Sequence, residues 1–91
     1  MNYIVKFSDD AEKVITKYKK SNPVAYKKLF RLLDELAVHP RTGTGHPEPL
    51  FNGNNIRYSR RISSNDRIVY DIYDDVVLVF VASVGGHYSD K

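Results

Sequence analysis

Near its start the chain alternates: Tyr3, Val5 and Phe7 share one face of an extended segment and Ile4 and Lys6 the other, which predicts a short strand. The period then changes. Ser8 stands as an N-cap ahead of Asp9, Asp10 and Glu12, acids that suit the positive end of a helix. Ala11, Val14, Ile15 and Tyr18 fall at i, i+3, i+4 and i+7, an apolar stripe that should run to about Lys20. Asn22-Pro23 interrupts it and begins a second helix, with Asn22 as cap and Pro23 at the first position. Ala25, Leu29, Leu32, Leu33 and Leu36 carry that stripe to about Val38, where His39-Pro40 ends it. Residues 41–55 read as loop throughout, rich in Gly, Pro and Asn.

Three further strands follow. Ile56 to Ser63 sets Ile56, Tyr58 and Ile62 on one face and Arg57, Ser59 and Arg61 on the other. Ser64-Asn65-Asp66 turns into a strand over Arg67–Ile72, and Tyr73-Asp74-Asp75 turns into Val76–Ala82. That last run is almost wholly apolar, so it is expected to lie centrally with both faces covered. Gly85-Gly86 loosens the chain before His87-Tyr88. The order β-α-α-β-β-β predicts a small α+β domain: a mainly antiparallel sheet with an αα-hairpin on one face.

The 91 residues suit one domain over 1–91. With no cysteine, disulfides and thiolate zinc sites are out of reach. The first residues do not form a signal peptide, and no apolar run approaches the ~20 residues of a membrane helix. A cytoplasmic protein without a membrane role is expected. Fourteen Lys+Arg against 11 Asp+Glu give a net charge of +3. Spread evenly this would serve solubility alone. It is instead clustered, with Lys13, Lys17, Lys19, Lys20, Lys27, Lys28 and Arg31 in the helices and Arg57, Arg60, Arg61 and Arg67 in the strands. Such clusters, with aromatics between them, fit a polyanionic partner.

The reactive groups gather in the second half. Pro47 and Pro49 confine Glu48 to extended conformations. Alone, the triplet reads more readily as a stiff turn with a solvated carboxylate than as a general base on a pre-organised loop. Arg60 and Arg61, adjacent on a strand, point to opposite faces. One should pack against the helices or pair with an acid; Arg61 shares the outward face of Arg57 and Ser59. A lone strand arginine is ordinarily solvated, but Arg61 and Arg67 as a cross-strand pair call for an anion and could clamp a phosphate. His39 abuts a helix-ending proline and His46 lies in the Gly-rich loop. His87 stands where nothing structural calls for an imidazole, and an ordinary pKa of about 6.5 suits a proton donor. Tyr88 could stack on a base, bond a phosphate or plug the sheet end. No His/Asp/Glu set has metal-ligand spacing. A base, guanidiniums and an imidazole are what RNA cleavage through its own 2′-hydroxyl requires.

These segments resemble the YoeB branch of the RelE/ParE superfamily of bacterial type II toxin–antitoxin toxins. Gly43-Thr44-Gly45-His46-Pro47-Glu48-Pro49-Leu50 is similar to that branch's G-x-G-K-P-E-P-L segment. Tyr58-Ser59-Arg60-Arg61-Ile62 is similar to its W/Y-S-R-R-I strand, Asp66-Arg67-Ile68-Val69-Tyr70 to its H-R-L-V-Y strand, and His87-Tyr88 to its H-Y ending. The chain departs from the pattern at His46, where lysine is frequent, in the Gly85-Gly86 spacing and in the Ser89-Asp90-Lys91 tail. The resemblance implies a RelE-like fold and a ribosome-dependent mRNA endoribonuclease that cuts in the ribosomal A site without a cofactor or metal. It also implies a homodimer and a cognate antitoxin of the Phd/YefM type. Carried over by motif, Glu48 is the general base, Arg67 the phosphate and transition-state stabiliser, and His87 the general acid. Arg61 and Tyr88, with His46 and Arg60, are expected at the substrate. A non-enzymatic ParE-like inhibitor and a regulator that binds nucleic acid through the basic helices remain as alternatives.

Overall fold

The computed structural model describes residues 2–50 and 56–86, so expectations for His87 and Tyr88 lie outside the described residues. The elements run β1 (Ile4–Phe7), α1 (Asp9–Ser21), α2 (Pro23–Val38), β2 (Glu48–Pro49), β3 (Arg57–Arg61), β4 (Arg67–Tyr73), a 3-10 turn (Asp74–Val76) and β5 (Leu78–Gly85). They form one five-stranded sheet in the order β1-β5-β4-β3-β2. β1 joins β5 in parallel, and every other pairing is antiparallel. The α+β expectation holds, with both helices on one face of the sheet.

The helix ends follow from their caps. Ser8 Oγ accepts the Ala11 N–H at 3.0 Å, and Asn22 Oδ1 accepts the Ala25 N–H at 3.2 Å, each satisfying a donor the helix leaves orphaned. Pro23 opens α2 as its sequence position suggests. Leu29, Leu32 and Leu36 are wholly buried against Ile68, Tyr70, Val79 and Val81. Ala11 and Tyr18 of α1 are buried in the same core, with Val14 and Ile15 packed at its margin.

Two expectations need correction. The 41–55 segment contains a strand: β2 pairs Glu48 with Ser59 and Pro49 with Tyr58. A two-residue strand that contains one proline and follows another carries no periodicity, so only the long-range pairing reveals it. The apolar run at 76–82 is not the central strand. Val76 belongs to the 3-10 turn and is 61% exposed, and Val77 sits in the left-handed region at φ 53°. β5 starts at Leu78 and buries chiefly Val79, Val81 and Val84, its helix-facing side. The middle strand is β4, whose Ile68, Val69, Tyr70, Asp71 and Ile72 are all buried. A polar residue within β4 hid that two-sided burial: Asp71 is neutralised by Arg57 on the neighbouring strand, through contacts of 2.7 and 2.9 Å. Arg57 is therefore committed within the fold rather than held for a polyanion.

Tyr18 carries an anomaly. Its hydroxyl is buried and has no hydrogen-bond partner among the described residues. It faces a crevice lined by Val14, Val84 and Asp66. Burial, followed by the negative charge of Asp66 and a side-chain interaction with it too poorly formed to count as a hydrogen bond, pushes its pKa from 10.0 up to about 12. A tyrosine whose pKa is raised on folding contributes stability that is full below its unfolded pKa of about 10. That contribution is lost as the pH climbs through the folded value of about 12. Tyr18→Phe should equal or exceed the parent in urea unfolding at pH 7, because it removes an unpaired buried hydroxyl. Its advantage should widen above pH 10. A parent protein more stable by a constant margin at every pH would show that the hydroxyl is paired.

Candidate active site

On antiparallel strands, residues directly opposite one another project to the same side of the sheet. The register Glu48↔Ser59↔Val69 and the rung Arg61↔Arg67↔Gly85 therefore place Glu48, Ser59, Arg61 and Arg67 together on the face away from the helices. Arg67 Nη1 lies 3.4 Å from Glu48 Oε1 and 3.4 Å from Ser59 Oγ. Both distances are long for a charge-assisted bond. The side chains of Arg67 and Glu48 are 40% and 56% exposed, so the pair is worth no more than about 1 kcal/mol. It is a loose contact that an incoming anion can rearrange. Arg61 is exposed and, with Gly43, His46, Pro47 and Glu48, lines an open cleft. Of the residues singled out from the sequence, Glu48, Arg67, Arg61 and His46 thus come together. Among the described residues no group of three His, Cys, Asp or Glu side chains could hold a metal ion.

Arg60 does not join them. Expected at the substrate, it is instead wholly buried on the opposite side of β3. Its Nε donates to Tyr70 Oη at 3.0 Å. Nη1 donates to Glu35 Oε1 at 2.8 Å and to the Thr44 carbonyl at 3.3 Å. Nη2 donates to the carbonyls of His39 at 2.8 Å and Thr42 at 2.7 Å. Every N–H of the guanidinium is thereby matched, leaving none for a phosphate. Tyr70 passes the chain on, donating to the Pro40 carbonyl at 2.7 Å. Burial would raise the Glu35 pKa, but the Thr44 hydroxyl and amide, then Arg60, outweigh it and hold the carboxyl below its ordinary value. Removing either member of such a buried pair typically costs about 3–5 kcal/mol, because the other charge is left uncompensated.

The loop between α2 and β2 is shaped around this network. Thr44 donates to Glu35 through its amide at 2.7 Å and its hydroxyl at 2.6 Å. Gly43 adopts φ +122°, and a Cβ there would collide with Glu35 Oε1. Gly45, at φ +87°, lies against β3: a Cβ would fall 2.8 Å from the Arg61 carbonyl oxygen, and the Arg61 N–H donates to the Gly45 carbonyl at 2.7 Å. Both glycines thus serve close backbone approach. His46 then takes a left-handed conformation at φ 52° and delivers the chain to Pro47-Glu48.

Reading from sequence missed Ser59, 1% exposed and in contact with Arg67, and Glu35, the acid that claims Arg60. Glu35 could have been suspected: it lies three residues after Leu32 and one before Leu36, at the edge of the buried stripe.

Residues 7–88 match the family model described as the YoeB-like toxin of bacterial type II toxin–antitoxin systems. The chain is 37% identical over 62 residues to toxin YoeB of Escherichia coli strain K12, covering 68% of this chain and 71% of that one. Its fold is similar to the YoeB dimer of Staphylococcus aureus, with a TM-score of 0.83 at 28% identity over 97% of this chain and 100% of that one. It is likewise similar to the chain in a YoeB–YefM complex from the same organism, with a TM-score of 0.79 at 29% identity, covering 97% of this chain and 100% of that one. The family match spans nearly the whole chain, including the loop of Glu48 and the strands of Arg61 and Arg67, and so the chain belongs to the YoeB-like toxins of bacterial type II toxin–antitoxin systems.

Proposed function

We propose that this toxin is a ribosome-dependent mRNA endoribonuclease that inhibits translation by cutting mRNA in the ribosomal A site. The observation that carries the reading is the loose Glu48–Arg67 contact beside Arg61, a carboxylate and two guanidiniums on one open face. Glu48 takes the proton of the 2′-hydroxyl, whose oxygen attacks the adjacent phosphorus. Arg67, with Arg61, stabilises the crowded phosphorane through donors aimed where negative charge develops. His87 protonates the departing 5′-oxygen. The products are a 2′,3′-cyclic phosphate and a 5′-hydroxyl, with the proton count balanced between base and acid. Gly85 is the rung partner of Arg67, and His87 follows Gly85 by two residues in the sequence. Tyr88 and His46 hold the substrate beside them. Each catalytic role falls to a side chain, so the scheme calls on no metal or cofactor.

Single alanine replacements of Glu48, Arg67 and His87 should each lower single-turnover cleavage of ribosome-bound mRNA by about 10²–10⁴-fold. A substrate whose 5′-leaving group is sulfur needs no proton to depart, so it should restore His87→Ala and leave Arg67→Ala depressed. Equal depression of His87→Ala on both substrates would remove His87 as the acid. Full toxicity of all three variants in cells would overturn RNA cleavage and leave a non-enzymatic inhibitor.

The partners we propose are a homodimeric second copy, the ribosome with its mRNA, and a cognate antitoxin of the Phd/YefM type. A cationic open face on a toxic enzyme is complemented by an acidic peptide segment. In a co-purified complex, Arg61 and Arg67 should lose reactivity toward an arginine-specific reagent, and charge reversal at either should weaken the complex most at low salt. A tight complex that leaves both arginines as reactive as in the free toxin would contradict this masking.

A further inference from the structure

Glu48 rests on little local structure. β2 is a two-residue stub at the sheet edge, and Pro47 and Pro49 supply no N–H to its ladder. Downstream of it, the Leu50 N–H donates to the Arg57 carbonyl at 2.8 Å. Strands this short are far below the usual five or six residues and do not order themselves (about 5–6 is typical). The upstream side is held much more firmly. The carbonyls of His39, Thr42 and Thr44 converge on Arg60, Thr44 is bound again by Glu35, and Gly45 is fixed to Arg61. Only His46, in the left-handed region, and Pro47, fixed in φ by its ring, stand between this anchored segment and Glu48. Few torsions remain to absorb a displacement of the loop before it reaches the carboxylate.

We infer that Arg60 is a positioning residue for Glu48. It does not touch RNA; with Glu35 it sets the loop over residues 39–45, and through the stiff His46-Pro47 link it sets where the carboxylate meets the 2′-hydroxyl. The inference rests on the endoribonuclease reading of Glu48. It accounts for adjacent arginines on one strand with different duties: Arg61 lines the cleft, and Arg60 binds the loop that supplies the cleft's Gly43. A base misplaced by about 1 Å loses on the order of 10²-fold in rate, so even a modest loosening of the loop is measurable.

The test uses the full chain as Arg60→Lys, which keeps the charge and loses the planar fork, and as Glu35→Gln, which keeps the shape and loses the charge. In ribosome-programmed cleavage, kcat should fall about 10–100-fold for Arg60→Lys and less for Glu35→Gln, with KM within about twofold of the parent. In amide hydrogen exchange, Thr44, Leu50 and Arg61 should lose protection while Ile4 and Ser8, bonded at the β1–β5 side, keep theirs. If Arg60→Lys does not fold, Glu35→Gln carries both measurements. A defect confined to KM would mean that Arg60 contacts the substrate. An unchanged kcat with a loosened loop, or uniform loosening across the sheet in both variants, would equally overturn the inference. Parent protein that cleaves nothing would count against the endoribonuclease reading instead, while exchange would still report whether Arg60 orders residues 44–50.

Discussion

The buried guanidinium of Arg60 is the constraint around which the functional half of the molecule is arranged. A permanent charge with no access to water is tolerable only if each donor is matched, and here the acceptors come from four parts of the chain. Glu35 supplies a carboxylate from α2, His39 and Thr42 supply carbonyls from the turn beyond it, Thr44 supplies one from the loop, and Tyr70 supplies a hydroxyl from β4. Several sequence features follow from that demand. Gly43 is needed because Glu35 occupies the place of a Cβ, and Thr44 because Glu35 keeps two further acceptor positions to fill. Arg41, in the same turn, adds an outer tie by donating to Asp74 at 2.8 Å, and Tyr3 donates to the same carboxylate at 2.6 Å. Those exposed contacts reinforce a path that the buried charge already dictates.

The helices were legible in the sequence almost to the residue, because their signals are local. Ser8, Asn22-Pro23 and His39-Pro40 act within a turn of where they stand, and the stripes report burial at a period set by the backbone. The sheet was legible in element order but less so in its layers. An unbroken apolar run looks like two-sided burial, yet β5 is covered chiefly on one side, and the run begins in a turn. β4 looks amphipathic because of Asp71, yet it is buried on both sides, since a bidentate arginine on the next strand removes the penalty of that carboxylate. Whether a charge is neutralised depends on strand register, which separations along the chain do not encode. The same limit hid β2, whose existence depends wholly on pairing with β3.

For the site, alternation along β3 was enough to separate Arg60 from Arg61, but not to say that Arg60 has no free donor. That fact required Glu35, the Tyr70 hydroxyl and three carbonyls, all from outside the strand. Motif comparison has the opposite weakness: it marks Arg60 and Arg61 alike, because a residue that builds a site and a residue that works in it both leave a motif. Burial distinguishes them. Ser59 shows the same point in reverse, since a small hydroxyl on a strand carries no signal until Arg67 is found 3.4 Å away.

The face away from the helices also shows how pairing strength sorts cations by duty. Arg57 is held bidentately by Asp71, with the carboxylate side chain only 11% exposed, and is removed from competition for any ligand. Among the described residues the Arg67 guanidinium has only long contacts, to Ser59 and to a Glu48 that is more than half exposed. Arg61 and Arg67 stand directly opposite one another, so their like charges repel across the rung. Glu48 is a single negative charge set against both. The free face therefore retains a local positive imbalance at the point where the carboxylate is most easily displaced. On the proposed RNA-cleaving reading, a phosphodiester entering there would relieve the arginine repulsion and release Glu48 from Arg67 in one exchange. On that reading, the pairing that is too weak to stabilise the fold suits a substrate that has to break it.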